Sequence, residues 1–155
     1  MEDKKRPGGL TALAVINFIF AGLNILGLLG MATINMINRT PMAGMTEAQK
    51  AQLAAEVAAF QNMGQSMFLL IIIINIIAFT LLFFSGIGYL KLKKVLGRIV
   101  GNLYGIIGII VVIATAIILP KEIGGGFSIL RIIGIIYPVL TLILINTTFK
   151  DDLVN

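Results

Sequence analysis

Four stretches of this chain, Gly9–Met36, Met67–Leu90, Ile99–Leu119 and Ile129–Phe149, are apolar for long enough to cross a lipid bilayer. A hydrocarbon core about 30 Å thick requires roughly 20 helical residues at 1.5 Å each. Lipid offers no hydrogen-bond partner to a bare backbone, so a spanning segment must be a helix or part of a closed barrel. Runs this long select the helix, and no charged residue lies well inside any of them. The pattern predicts an all-α, polytopic membrane protein: a four-transmembrane-helix antiparallel bundle that uses residues 1–155 as one domain. Composition agrees, because 12% charged and 58% hydrophobic residues contrast with about 25% charged in soluble domains.

Several function classes are excluded early. With no cysteine and no histidine, the chain lacks thiolate and imidazole ligands, a cysteine nucleophile and the usual acid–base group. All seven acidic residues, Glu2, Asp3, Glu47, Glu56, Glu122, Asp151 and Asp152, fall in tails and loops. Proton-coupled transport, pumping and voltage sensing need an ionisable group at depth, and none is offered. The expectation is a non-enzyme with no cofactor and no metal. The net charge of +5 comes from basic residues that flank spans, so nucleic acid is not expected as a partner. Membrane lipid and other membrane subunits, or further copies of this chain, are. The amino-terminal apolar run continues too far for a cleaved leader and reads as an uncleaved signal-anchor.

Cytoplasmic loops carry the excess of Lys and Arg. Placing both termini and the middle loop on one side puts eight there (Lys4, Lys5, Arg6, Lys91, Lys93, Lys94, Arg98 and Lys150) against four opposite (Arg39, Lys50, Lys121 and Arg131). Both termini are therefore expected in the cytoplasm, with the protein integral to the inner membrane. Lys91, Lys93, Lys94 and Arg98 also form a candidate contact for anionic lipid, although topology retention alone explains them.

The first external segment carries a helix-start signal at Thr46-Glu-Ala-Gln49, in which hydroxyl and amide can each satisfy the other residue's backbone N–H. An amphipathic helix over about 46–63 follows, with Leu53, Val57 and Phe60 forming an apolar stripe suited to an external partner. Because only Gly64 interrupts it, the sequence slightly favours fusion of this helix with the second span. Beyond the third span, Pro120 and Gly124–Gly126 predict a sharp turn.

Two patterns stand out within the spans. Gly97, Gly101, Gly105 and Gly108 line the third, and small residues so spaced allow close helix approach, either inside the bundle or at a subunit contact. Neutral polar residues form two levels: Asn17, Thr80, Tyr104 and Thr141 roughly 10 Å from the cytoplasmic ends, and Asn24 with Asn75 roughly 20 Å. An amide in lipid is costly unless paired, so these side chains serve as interhelical contacts or line a pore.

The segments Lys5-Arg-Pro-Gly-Gly-Leu-Thr-Ala-Leu-Ala14, Ser85-Gly-Ile-Gly-Tyr-Leu-Lys-Leu-Lys-Lys94 and Ile136-Tyr-Pro-Val-Leu-Thr-Leu-Ile-Leu-Ile-Asn146 give the chain a resemblance to small four-span integral membrane proteins of bacteria and archaea that have no assigned activity. The resemblance implies the four-span layout and supplies no catalytic residue. The functional expectation is a non-catalytic accessory or scaffold subunit, or a homo-oligomer, acting through helix–helix association. A weakly selective homo-oligomeric pore and a binder of lipid or another apolar ligand are the alternatives.

Overall fold

The computed structural model describes residues 7–37, 44–119, 126 and 129–153. Its elements are α1 (Gly8–Ile37), α2 (Glu47–Asn62), α3 (Gln65–Leu90), a π-helical turn (Lys94–Ile99), α4 (Val100–Ile118) and α5 (Ile129–Asn146). No strand element occurs among the described residues. The stretches Gly8–Met31, Gln65–Leu90 and Lys94–Ile118 are long and apolar enough to cross a membrane, and a shorter apolar helix covers Ile132–Asn146. Outward-facing Ile19, Leu26, Ile73, Ile110, Ile117 and Ile129 are each more than half exposed. Such a surface is untenable in water and ordinary in lipid.

The sequence's slight preference for one helix running from 46 into the second span is not what the chain does. At Met63 (ψ 126°) and Gly64 (ψ 144°) the backbone is extended, and two helices result. Gly64 opens α3, its carbonyl accepting from the amides of Met67 and Phe68. Glycine gains least from helix among non-proline residues, and the polar flank Gln61-Asn62…Gln65-Ser66 leaves no apolar face to carry a helix across. At its other end α2 has both halves of the capping box: the Gln49 amide donates to Thr46 Oγ1 and the Thr46 amide to Gln49 Oε1.

The bundle is assembled as two antiparallel pairs, α1 with α3 and α4 with α5, joined where α3 meets the π-helical turn and the start of α4. Leu92, with φ 52°, reverses the chain after α3, and the Lys93 amide closes the turn on the Gly88 carbonyl at 2.9 Å. Gly88 is obligatory there, because a Cβ would collide with the backbone of Leu96 and Gly97. This end, here called basal, also holds the start of α1 and the end of α5. Leu10, Leu13, Ala14, Tyr89, Ile145, Phe149 and Leu153 form its buried core. The expected turn at 120–128 lies outside the described residues apart from Gly126, as do Lys4, Lys5, Arg6, Arg39 and Lys121.

Candidate functional site

The four glycines singled out in the third span are filled from within the chain. A Cβ at Gly101 would strike the Tyr89 hydroxyl and come within 3.1 Å of Ile145; one at Gly105 would meet Leu142, one at Gly108 would lie 3.2 Å from Pro138, and one at Gly97 would lie 2.8 Å from Leu153. Their neighbours are thus α3, α5 and the carboxyl-terminal segment. Gly97, Gly101, Gly105 and Gly108 have no free groove to present to a second subunit, and the reason is steric: Tyr89, Leu142 and Pro138 already occupy it.

Above the basal core, the lower polar level forms a cross-bundle seal. Asn17 is fully buried; its Nδ2 donates to Ser85 Oγ at 2.7 Å, and its Oδ1 accepts from the Tyr137 hydroxyl. One amide thus ties α1 to both α3 and α5. The Ser85 hydroxyl in turn donates to the Leu82 carbonyl at 3.1 Å. The Tyr89 hydroxyl lies beside Asn17 and Ser85, and Thr141 lies beside Tyr137. Among the described residues neither hydroxyl oxygen finds a partner of good geometry, although both are buried. Tyr104 is buried against Tyr137, ring centroids 6.1 Å apart. Thr80, expected at the same depth, is exposed and donates to the Ile76 carbonyl of its own helix at 2.8 Å, so it takes no part in the seal.

Farther from the basal end the two helix pairs separate and leave a cavity of about 350 Å³. Its walls are mostly aliphatic: Ile71, Ile74, Ala78 and Leu82 from α3, Ile107 and Val111 from α4. Phe20, Tyr104 and Tyr137 form the floor directly over the seal, and Met31 and Leu119 stand at the far end. Asn24 and Asn75, the upper polar level, both line it. Neither pairs with another helix as the sequence led one to expect. Asn24 Nδ2 donates to the Phe20 carbonyl and Asn75 Nδ2 to the Ile71 carbonyl, each at 2.8 Å and within its own helix. Among the described residues nothing else bonds either side chain, which leaves each a second N–H and its carbonyl oxygen.

Pro138 adds a further acceptor. It sits inside α5 without an N–H, so the carbonyl of Gly134, four residues earlier, loses its helical donor. Gly134 also lines the cavity. A second, more open hollow of about 520 Å³, lined by Ala59, Met63, Met67 and Ile118, lies under the end of α2 and shares Leu119 with the first cavity.

At the basal turn Lys91, Lys93 and Lys94 are exposed, whereas Arg98 is half-buried and its Nε reaches Asn146 Oδ1 at 3.4 Å. Asn146 also exchanges amide hydrogen bonds with Asn102, at 2.6 and 3.3 Å. On α2, Val57 is 6% exposed while Leu53 and Phe60 are half-buried, so this chain itself covers part of the stripe.

Sequence reasoning missed Ser85, Tyr89, Tyr137, Asn102 and Asn146. Asn102 had a signal, since it stands four residues after Arg98 on one helix face. Pairing of Asn17 with Ser85 and Tyr137 joins residues 68 and 120 positions apart and has no local signature. No family model, curated protein or solved structure matches this chain.

Proposed function

We propose that this protein is a non-catalytic, four-span protein of the inner membrane that holds an apolar ligand between its helices. The observation that carries the reading is the aliphatic cavity over the seal. At about 350 Å³ it falls within the usual range of roughly 300–1,000 Å³ for small-molecule sites, and it adjoins lipid, where such ligands dissolve. In this reading α5 is the fourth span, and the basal end, with Lys91, Lys93, Lys94 and Lys150, faces the cytoplasm and anionic headgroups. The pore alternative loses support, since Asn17 is locked between Ser85 and Tyr137 and the cavity is floored by aromatic rings.

A role as accessory subunit remains as a second reading, and what supports it is α2. Leu53 and Phe60 are only half-covered, beside a hollow that another membrane protein's helix can fill.

The ligand reading is tested by mass spectrometry of apolar molecules extracted from protein purified in mild detergent, wild type beside Gly134→Phe. A Cβ at Gly134 would have Val112 Cγ2 as its nearest neighbour, at 3.8 Å, so the backbone accepts a side chain that projects into the cavity. Wild type should carry a stoichiometric apolar species and the variant should not. Equal loads in both, or none in either, would overturn the reading.

A further inference from the structure

We infer that the cavity takes a short-chain, uncharged amphiphile, with a hydroxyl group held by Asn24, Asn75 and the Gly134 carbonyl and its chain lying on the aromatic floor. This rests on the ligand reading above and adds the chemistry of the ligand.

Charge decides the first part. Every side chain described around the cavity is neutral. Among the described residues none supplies a counter-charge, so an ionised headgroup there would lose its hydration at a cost far beyond what a neutral hydroxyl meets.

The hydroxyl follows from the hydrogen-bonding inventory. Asn24 and Asn75 each spend one N–H on their own helix. Among the described residues nothing donates to either Oδ1, and Gly134 lacks its helical donor because Pro138 follows. The site is therefore rich in acceptors, with two amide N–H groups left over. A hydroxyl, which donates one proton and accepts others, matches that set. A ketone or ether accepts only and leaves the acceptors unmet, while a hydrocarbon meets none.

Chain length follows from level. At 1.5 Å per residue, Asn24 stands about 6 Å above Phe20, Gly134 about 5 Å above Tyr137 and Asn75 about 10 Å above Leu82. The polar groups thus share a zone with roughly 5–10 Å of apolar slot beneath it, less than the ~15 Å that one leaflet's hydrocarbon fills. A full phospholipid chain does not fit below the amides. A shorter one does.

The test uses a matched series, radiolabelled hexanol, hexane and hexyl sulfate, equilibrated with the full chain in nanodiscs and with empty nanodiscs. Hexanol should be retained best by the wild type, hexane less and hexyl sulfate at the empty-disc level. In Asn24→Leu/Asn75→Leu, hexanol retention should fall by about 3- to 30-fold, the range of one or two lipid-phase hydrogen bonds. Hexane retention should hold, which also reports that the variant is folded. Hexane retained as well as hexanol by the wild type, hexyl sulfate preferred, or hexanol binding untouched in the double variant would overturn the hydroxyl site and leave an apolar cavity in place. If nothing is retained above empty nanodiscs, the ligand reading itself fails.

Discussion

Removing the Asn17 amide tests how the bundle is held together. Its two interhelical hydrogen bonds, to Ser85 and from Tyr137, are each worth ~0.6–1.7 kcal/mol in a bilayer environment, so Asn17→Ala should cost about 1–3 kcal/mol, with a further fraction from the small void. The partners soften the loss. Ser85 keeps its bond to the Leu82 carbonyl and the Tyr137 hydroxyl keeps a long contact of 3.4 Å to the Leu13 carbonyl. The appropriate assay is reversible unfolding in mixed micelles, run as a double-mutant cycle over Asn17→Ala and Ser85→Ala. The cycle should return a coupling of about 0.6–1.7 kcal/mol. A coupling indistinguishable from zero would refute the claim that this pair joins α1 to α3.

Other substitutions probe different parts of the account. Gly101→Leu drives a side chain into Tyr89 and Ile145 and should destabilise the single bundle by at least about 1–3 kcal/mol, with the oligomeric state in sedimentation unchanged; dissociation of an oligomer without loss of stability would restore the subunit-contact role. Thr141→Val replaces an unpartnered buried hydroxyl with a methyl of similar shape and should leave stability equal or raise it by about 1 kcal/mol in the same unfolding assay. Thr80→Val removes an exposed hydroxyl that donates to the Ile76 carbonyl of its own helix and should shift unfolding by less than about 0.5 kcal/mol; a loss as large as that of Asn17→Ala would mean that Thr80 faces a partner.

What the sequence made legible was whatever depends on runs and local spacing. Apolar length located the helices within a few residues, and Thr46 with Gln49 marked the start of α2, because capping is decided within one turn. The break at Met63–Gly64 was underweighted, since the helix propensity of one glycine is a small quantity beside the context of its neighbours. Polarity at depth pointed to Asn17, Asn24 and Asn75, yet their fates diverged for reasons that reside in tertiary packing. Asn17 lies where the helix pairs converge, so Ser85 and Tyr137 come within reach. Asn24 and Asn75 lie where the pairs have separated, so each falls back on its own backbone. The glycine spacing announced a close approach but not its partner. Tyr89, one turn from the chain reversal at Leu92, fills that groove from the same chain.

In the proposed bundle α5 crosses the membrane along with the three longer helices, which are long and apolar enough to do so. The chain has no cysteine, so single cysteines introduced at exposed Gln52, Lys94 and Lys150 can be labelled in intact cells with an impermeant maleimide, before and after permeabilisation. Four crossings put Lys94→Cys and Lys150→Cys on the same side, reactive only after permeabilisation, with Gln52→Cys reactive from outside. Labelling of Lys150→Cys in intact cells alongside a protected Lys94→Cys would mean three crossings and contradict the four-span bundle on which the cavity rests.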